Sequence, residues 1–289
     1  MEGVELHSKM LHPSEMFWWQ LHHAEFDVSE MSIASLMIST AQGKRDWVAL
    51  PAFTMRRFFH TSIMVRRGSG IRRPRDLVGK RIGVPEYQQT WAVWSRGVLQ
   101  DEFGLRPEQM TWFMERNDDR SHGAATGFTP PPGVDIRAVP PETDIGELLL
   151  RGEIDATLLH LSRPNLVDRS RVDLHRAETI RSLFKDPTGE GRRYYEKIGI
   201  FPINHLVVVR RSLVEAHPWL PARLYAACVE ARRLADAAGN DPFPCPAPYG
   251  NLANRNVLET LSRYVHEQGL TDRLVEPADL FASDLELGV

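Results

Sequence analysis

Histidine and arginine side chains at a few positions could carry out acid–base chemistry on an anionic substrate. His60 begins the apolar segment HTSIMV, and His205 lies inside the apolar run GIFPINHLVVV. An imidazole titrates near neutral pH, so either histidine can serve as a general acid or base. Arg57 lies three residues before His60, and a guanidinium can hold a carboxylate through two parallel hydrogen bonds. Arg56 competes with Arg57 for this role, and we expect Arg56 to lie on a solvated face.

Composition and spacing exclude several classes of protein and of site. Lys and Arg total 35 against 38 Asp and Glu, and this near balance gives no support to a nucleic-acid or membrane-surface role. Two cysteines exclude a disulfide framework and a cysteine-based zinc site. Neither His160 nor His205 has a second histidine at H-x-H or H-x-x-x-H spacing, so we expect no metal.

We expect a cytoplasmic protein. No apolar run approaches the roughly 20 residues that span a bilayer. The first residues, MEGVELHSKMLHP, lack the basic segment and apolar core of a signal peptide.

Short apolar strands alternate with helices along the chain, which favours an α/β architecture with mainly parallel strands. Trp91, Trp94, Val98 and Phe103 recur near the helical period, and Gly104 is a natural end for that helix. Strands are predicted at residues 4–10, 26–31, 47–53, 60–65, 81–84, 154–159 and 199–209. Further helices are predicted at residues 13–22, 32–40, 144–150 and 221–238, and a surface loop at residues 117–133.

Residues 71–84, IRRPRDLVGKRIGV, resemble a recurring segment of the periplasmic-binding-protein type II fold, where it marks entry into the second lobe. The later GEIDA segment resembles the one before a second-lobe strand near the cleft. The resemblance implies a two-lobed α/β fold with mixed, mainly parallel sheets, a hinge and an interlobe cleft. Lobe one would hold residues 1–75 plus 205–289, and lobe two residues 76–204.

Five longer segments are similar to the 4,5-dihydroxyphthalate decarboxylase family. They are EFDVSEMSIAS, RRFFHTSIMV, GKRIGVPEYQQTWAVWSRGVLQDEFG, YYEKIGIFPINHLVVVRR and EAHPWLPARLYAACVEA. The family carries an extra strand and helix before the segment that resembles GVELHSKML, so the sequence as given is expected to lack them. The resemblance implies an aromatic carboxy-lyase of bacterial phthalate degradation.

The same resemblance implies where a ligand would be held. His60 would begin the strand that approaches the hinge and His205 would lie in the return crossover, so both are candidate catalytic groups facing the cleft. Ser32 also fits a helix N-cap, and Trp91 also fits a core position. The implied binding residues follow strands or border the hinge: Glu30, Ser32, Arg57, Tyr87, Thr90, Trp91, His160 and Arg163.

The implied reaction requires few catalytic groups. Each carboxylate of 4,5-dihydroxyphthalate lies para to a hydroxyl, so a base at the phenol and an acid at the ring carbon suffice to form 3,4-dihydroxybenzoate. No metal or organic cofactor is required. A first alternative is a small-carboxylate-binding protein of an ABC-type transporter, because fold does not fix function. A second is an enzyme of thiamine-pyrimidine synthesis, which would need a clustered His/Cys iron site. Expected partners are a small aromatic carboxylate and further copies of the chain.

Overall fold

Two β-sheets, connected by two crossings of the chain, organise the structure. The computed structural model describes residues 3–237 and 247–281. In chain order the strands are β1 (Val28–Ser32), β2 (Trp47–Arg56), β3 (Met64–Arg66), β4 (Arg81–Val84), β5 (Thr111–Met114), β6 (Asp135–Ala138), β7 (Ala156–Thr157), β8 (Ile180–Ser182) and β9 (Ile203–Arg210). The helices are α1 (Pro13–His23), α2 (Ile33–Ala41), α3 (Thr90–Phe103), α4 (His122–Thr126), α5 (Ile145–Arg151), α6 (Pro187–Ile198), α7 (Arg211–Ala216), α8 (Leu220–Ala237) and α9 (Arg255–Glu267). Of these described helices, none combines the length and apolarity needed to cross a membrane.

The first sheet takes its strands from well-separated parts of the sequence. Its order is β1-β9-β2, and both strand pairs are antiparallel. The sequence of β9, INHLVVVR, supplies the β-branched residues that suit a strand with neighbours on both sides. Ser32 of β1 and Met55 of β2 both pair with His205, so the backbone holds this histidine inside the sheet.

The second sheet is mixed, with the order β6-β5-β4-β7-β3-β8. β4 runs parallel to β5 and β7, and β5 runs parallel to β6, whereas β3 is antiparallel to both of its neighbours. The helix α5 packs directly on the backbone of β4, because a Cβ atom at Gly83 would lie 2.5 Å from a side-chain carbon of Ile145.

Two crossings join the sheets, at residues 57–63 and 199–202. The backbone N–H of Arg57 donates to Pro202 O at 3.1 Å, so the crossings run side by side. The division of lobes at residues 75 and 205 stays a prediction, and residues 238–246 and 282–289 of the predicted lobe one lie outside the described residues.

The helix α3 contributes to two hydrophobic cores. Trp91 and Trp94 pack with the core of the first sheet, whereas Ala92 and Leu99 pack with the core of the second. The indole N–H of Trp94 also donates to the backbone O of Ile203 at 2.8 Å, at the start of β9. This double packing fixes α3 against both sheets and sets the position of its first turn.

Arg116, which follows β5, is fully buried between two carboxylates. Its guanidinium donates to Glu86 Oε2 and Asp168 Oδ1, each at 2.8 Å. His122 Nδ1 lies 3.2 Å from the guanidinium, and its Nε2 donates to Ser14 O of α1 at 2.8 Å. Burial, together with the Arg116 charge, lowers the pKa of His122 to about 4, so the imidazole is neutral at pH 7. Arg116, Glu86, Asp168 and His122 form what we call the Arg116 cluster, which joins the second sheet to α1.

Most of the predicted elements are confirmed within a few residues, and the differences have physical causes. Residues 4–10, predicted as a strand, have no neighbouring strand among the described residues and are mostly exposed. Within residues 60–65 the strand begins only at Met64, because Phe59–Ser62 form a 3₁₀ turn. The predicted loop 117–133 contains α4. The predicted end of the helix 221–238, at residue 238, lies outside the described residues.

Replacing Arg116 by leucine leaves two buried carboxylates without their cation. We expect the free energy of unfolding to fall by about 3–5 kcal/mol, the range for removing one partner of a buried ion pair. Arg137→Leu is the matched control, because Arg137 and Asp135 pair where both side chains are exposed, and it should change stability little. Denaturant unfolding at pH 7 measures both variants, and equal losses would contradict the prediction.

Candidate active site

A cavity of about 600 Å³ lies beside the first crossing of the chain. Its wall includes residues of the first crossing, the first turn of α3, the segment after β7 and the start of α6. Its volume falls within the range of small-molecule sites. Three of the residues predicted from the sequence meet in this wall: Arg57, Trp91 and His160.

Arg57 and Trp91 form one side of the cavity. The guanidinium carbon of Arg57 lies 5.6 Å from the centroid of the Trp91 ring, within the range of a cation–π contact. Among the residues that the structure describes, the Arg57 side chain has no hydrogen bond or ion pair, so its donors are available to a ligand. Trp91 is 7% exposed and also packs against Phe59, with the rings tilted by 52° and their centroids 4.9 Å apart, so it serves both the core and the cavity wall.

Arg56 is not on a solvated face, which corrects the expectation from the sequence. Its guanidinium donates to the backbone O atoms of Phe201 and Pro248 and to Asn254 Oδ1, at 2.6–3.2 Å. Burial lowers its pKa from the ordinary 12.5 to about 10. Arg56 therefore ties the return crossing to α9, and Arg57 is the arginine of this pair that lies in the cavity wall.

His160 presents one ring nitrogen for proton transfer. Its Nε2 lies 2.6 Å from Val172 O, and a carbonyl only accepts, so Nε2 carries the proton and Nδ1 keeps its lone pair. Ser170 Oγ lies 3.3 Å from the same Nε2. Burial lowers the pKa of His160 below the ordinary 6.5, which favours the neutral imidazole at pH 7. The side chain therefore has the properties of a general base in the cavity wall.

A second imidazole in the wall, His175, was missed by the sequence reasoning. It lies in a 3₁₀ turn, Leu174–Arg176, and its side chain is exposed. The surrounding sequence, RVDLHRAETI, has no apolar period and no recognised motif. Nothing in the sequence therefore distinguished this histidine from a surface residue.

His205 and Glu30 form a pair next to the cavity rather than in its wall. His205 Nδ1 lies 3.2 Å from Glu30 Oε2, and its Nε2 lies 2.8 Å from Asn204 Nδ2. The same amide nitrogen lies 3.3 Å from the sulfur of Met55, which lines the cavity. Phe17 of α1 packs edge-on against the imidazole with a centroid distance of 4.7 Å. His205 thus reaches the cavity wall only indirectly, through its contact with Asn204, which in turn contacts Met55.

His60 lies in the first crossing, the predicted hinge, where its side chain is packed among neighbouring residues. Its side chain is 0% exposed, Nε2 lies 3.3 Å from Glu190 Oε1, and the ring contacts Phe184 and Tyr194. Burial lowers its pKa, although Glu190 opposes this shift. The neighbouring Thr61 lines the cavity, whereas His60 does not. The predicted strand would have placed His60 toward the cleft, but the 3₁₀ turn directs it into the hinge instead.

Tyr87 is placed in the core of the second sheet rather than at the cavity. It is 0% exposed, and the guanidinium carbon of Arg96 lies 3.6 Å from the centroid of its ring. Trp112 packs edge-on against the same ring at 5.7 Å. The aromatic ring is thus enclosed by a cation and an indole, and the structure does not bring it to the cavity.

Ser32 and Thr90 bind each other at the starts of two helices. Their hydroxyls share a hydrogen bond of 2.7 Å, and Thr90 Oγ1 also accepts from the backbone N–H of Ala34 at 3.0 Å. Ser32 occupies the N-cap position of α2, but its side chain does not bond to that helix. Arg163 is exposed and does not line the cavity. Across the described ranges, no three His, Cys, Asp or Glu side chains converge as a metal site would require.

Two solved structures with a similar fold are sulfonate-binding proteins. The aliphatic sulphonate binding protein SsuA from Escherichia coli matches with a TM-score of 0.55 and 13% identity, covering 95% of this chain and 85% of that one. The alkanesulfonate-binding protein SsuA from Xanthomonas axonopodis pv. citri, bound to MOPS, matches with a TM-score of 0.53 and 15% identity, covering 93% and 84%. The two-lobed, periplasmic-binding-protein type II-like fold is therefore confirmed.

Relatives in sequence are enzymes. A 4,5-dihydroxyphthalate decarboxylase from Comamonas testosteroni is 33% identical over 302 residues, covering 97% of this chain and 89% of the relative. Another from Pseudomonas putida is 31% identical over 198 residues, covering 68% and 74%. No protein-family profile matches the chain. The identity and coverage of the first relative show that this chain belongs to the 4,5-dihydroxyphthalate decarboxylase family.

Proposed function

We propose that this chain is a decarboxylase that removes carbon dioxide from 4,5-dihydroxyphthalate or a close hydroxylated aromatic acid. The observation that carries the proposal is similarity to a decarboxylase along 97% of the chain. The cavity supports it, because a guanidinium, an indole and a neutral imidazole border one space of suitable size. These groups match the carboxylate, the ring and the phenol of such a substrate.

The proposed reaction needs one base and one acid. The base takes the proton of the phenol para to the leaving carboxylate, and electron density moves to the ring carbon that bears this carboxylate. The acid protonates that carbon, which forms a cyclohexadienone. The bond to the carboxylate then breaks, carbon dioxide leaves, and the electron pair restores the aromatic ring as a phenolate. The base returns its proton to this phenolate oxygen. The product is 3,4-dihydroxybenzoate, and the net reaction consumes one proton.

Arg57 is the proposed clamp for the carboxylate that stays on the ring. Its guanidinium lines the cavity and has no carboxylate partner among the described residues, so it can bind a substrate carboxylate through two hydrogen bonds. Trp91 lines the cavity beside that guanidinium, and its indole is the proposed aromatic contact for the substrate ring. Leu159 and Leu161 add apolar wall, which weakens hydration of the carboxylate that leaves.

His160 is the proposed base, because Val172 fixes its proton on Nε2 and leaves Nδ1 to accept. His175 is the proposed acid, since it is the other imidazole in the cavity wall. A catalytic role for His205 stays a prediction. His60 is left out of the proposed mechanism because of its position in the hinge. The expected oligomer and the cytoplasmic location also stay predictions.

Incubation of the purified chain with 4,5-dihydroxyphthalate tests the proposed function directly. We expect carbon dioxide and 3,4-dihydroxybenzoate in equal amounts, with the same rate when a chelator is present. Chromatography of the aromatic product and trapping of the gas measure both. Saturable binding without product would instead favour the carboxylate-binding alternative.

Arg57→Gln is expected to weaken substrate binding more than it slows turnover. Loss of a charge-assisted contact should raise KM by about tenfold or more, with kcat much less affected. Arg163→Gln is the matched control, since Arg163 is exposed and does not line the cavity. Steady-state kinetics of both variants measure KM and kcat for comparison with the wild-type chain. An unchanged KM in Arg57→Gln would remove the clamp from the mechanism.

His160→Gln is expected to lower kcat by about a hundredfold or more, the usual contribution of a general base. The base works only when unprotonated, and burial lowers the pKa of His160 below 6.5. The decline of the wild-type kcat/KM toward low pH should therefore have its midpoint below pH 6.5. His7→Gln, which changes an exposed imidazole, is the control. Wild-type turnover in His160→Gln would contradict the assignment.

A further inference from the structure

A second cavity, of about 560 Å³, has basic side chains at four of the six residues that line it. We call it the basic pocket, and its wall is formed by Arg67, Arg72, Arg181, Ser182, Phe184 and Lys185. Within the described part of the chain, no carboxylate contributes to this wall. Four cations around one concave space favour an anionic ligand.

Two of the four cations are held in place without being neutralised. Arg181 donates to the backbone O atoms of Ser182, at 2.8 Å, and Ile71. Arg67 Nε donates to the backbone O of Glu178 at 2.7 Å. Carbonyl groups accept these hydrogen bonds but carry no net charge, so both guanidiniums are oriented and keep their full positive charge.

The other two cations are available for a ligand. The side chains of Arg72 and Lys185 are exposed, and neither has a hydrogen bond or ion pair to another side chain in residues 3–237 and 247–281. The nearby carboxylate of Asp76 accepts the backbone N–H groups of Arg72 and Arg73 and pairs with the Arg73 side chain. It therefore does not cancel the charge of the pocket.

The basic pocket adjoins the proposed active site. Ser182 lines both cavities, and its hydroxyl is buried without a hydrogen-bond partner among the described residues. Phe184 adds an aromatic ring to the wall and contacts His60 edge-on, with a centroid distance of 5.7 Å. His60 therefore contacts one residue of the basic pocket and is the chain neighbour of Thr61, which lines the first cavity.

We propose that the basic pocket is a second binding site for small aromatic polycarboxylates, next to the site where the chemistry takes place. The choice of ligand class rests on the proposed function, because that substrate is a dianion with a benzene ring. Four cations match two or more carboxylates, and Phe184 matches the ring. Such a site raises the local concentration of the dianion beside the cavity that holds Arg57.

Binding of unsubstituted phthalate tests the proposal without relying on turnover. Phthalate has two carboxylates but no phenol, so it cannot follow the proposed reaction, and calorimetry can count its sites. We expect two sites in the wild-type chain. Arg72→Gln combined with Lys185→Gln should weaken one of them by about tenfold or more, and Arg57→Gln should weaken the other.

Arg75→Gln combined with Lys80→Gln is the matched control, because it removes the same number of positive charges at residues that line neither cavity. An unchanged titration in the Arg72 and Lys185 double variant would overturn the proposal. Binding of inorganic phosphate but not of phthalate would overturn it as well. If the Arg72 and Lys185 double variant lost one site but Arg57→Gln left the other unchanged, the result would count against the proposed active site and leave the basic pocket in place.

Discussion

Arg116 carries a positive charge into a part of the molecule that water does not reach. A buried guanidinium is tolerated only when carboxylates and hydrogen bonds replace its hydration, and Glu86 and Asp168 supply them. Glu86 lies just after β4, and Asp168 lies in the segment after β7. Because both carboxylates must contact the Arg116 guanidinium, this ion pairing holds the two chain segments close together. The first turn of α3 begins four residues after Glu86, and His160 lies eight residues before Asp168. One electrostatic requirement thereby sets the positions of Trp91 and His160, on which the cavity depends.

Much of the fold could be predicted because its signals are local. The helical spacing of Trp91, Trp94 and Val98, with Gly104 as the stop, specifies α3 without reference to the rest of the chain. The segment at residues 4–10 shows the limit of the same reasoning. Its alternation suits a strand, but a strand is stable only beside another strand, and the sequence of a segment does not state whether a partner exists.

The site was harder to predict, because side-chain direction depends on local backbone geometry. His60 would alternate toward the cleft on a strand, whereas a 3₁₀ turn rotates each successive residue by about 120° and sends it into the hinge. Tyr87 follows a strand as a ligand-binding residue would, but Arg96, nine positions later, binds its ring from within α3. Arg57, Trp91 and His160 were found because each lies where a crossing, a helix start or a strand end meets the cavity. His175 has no such marker.

The sharing of α3 between two cores also constrains motion. A two-lobed protein commonly opens its cleft when each lobe rotates as a rigid body about a hinge. In this molecule that rotation would pull α3 away from one of its two cores, breaking either the Trp94 N–H bond to Ile203 O or the packing of Ala92 and Leu99. The apolar surface exposed would cost about 25 cal/mol for each Å². Because rotation of a whole lobe would be costly, we expect ligands to enter the cavity through movements of the side chains and loops at its border. Such elements move in nanoseconds to microseconds, faster than the rotation of whole lobes.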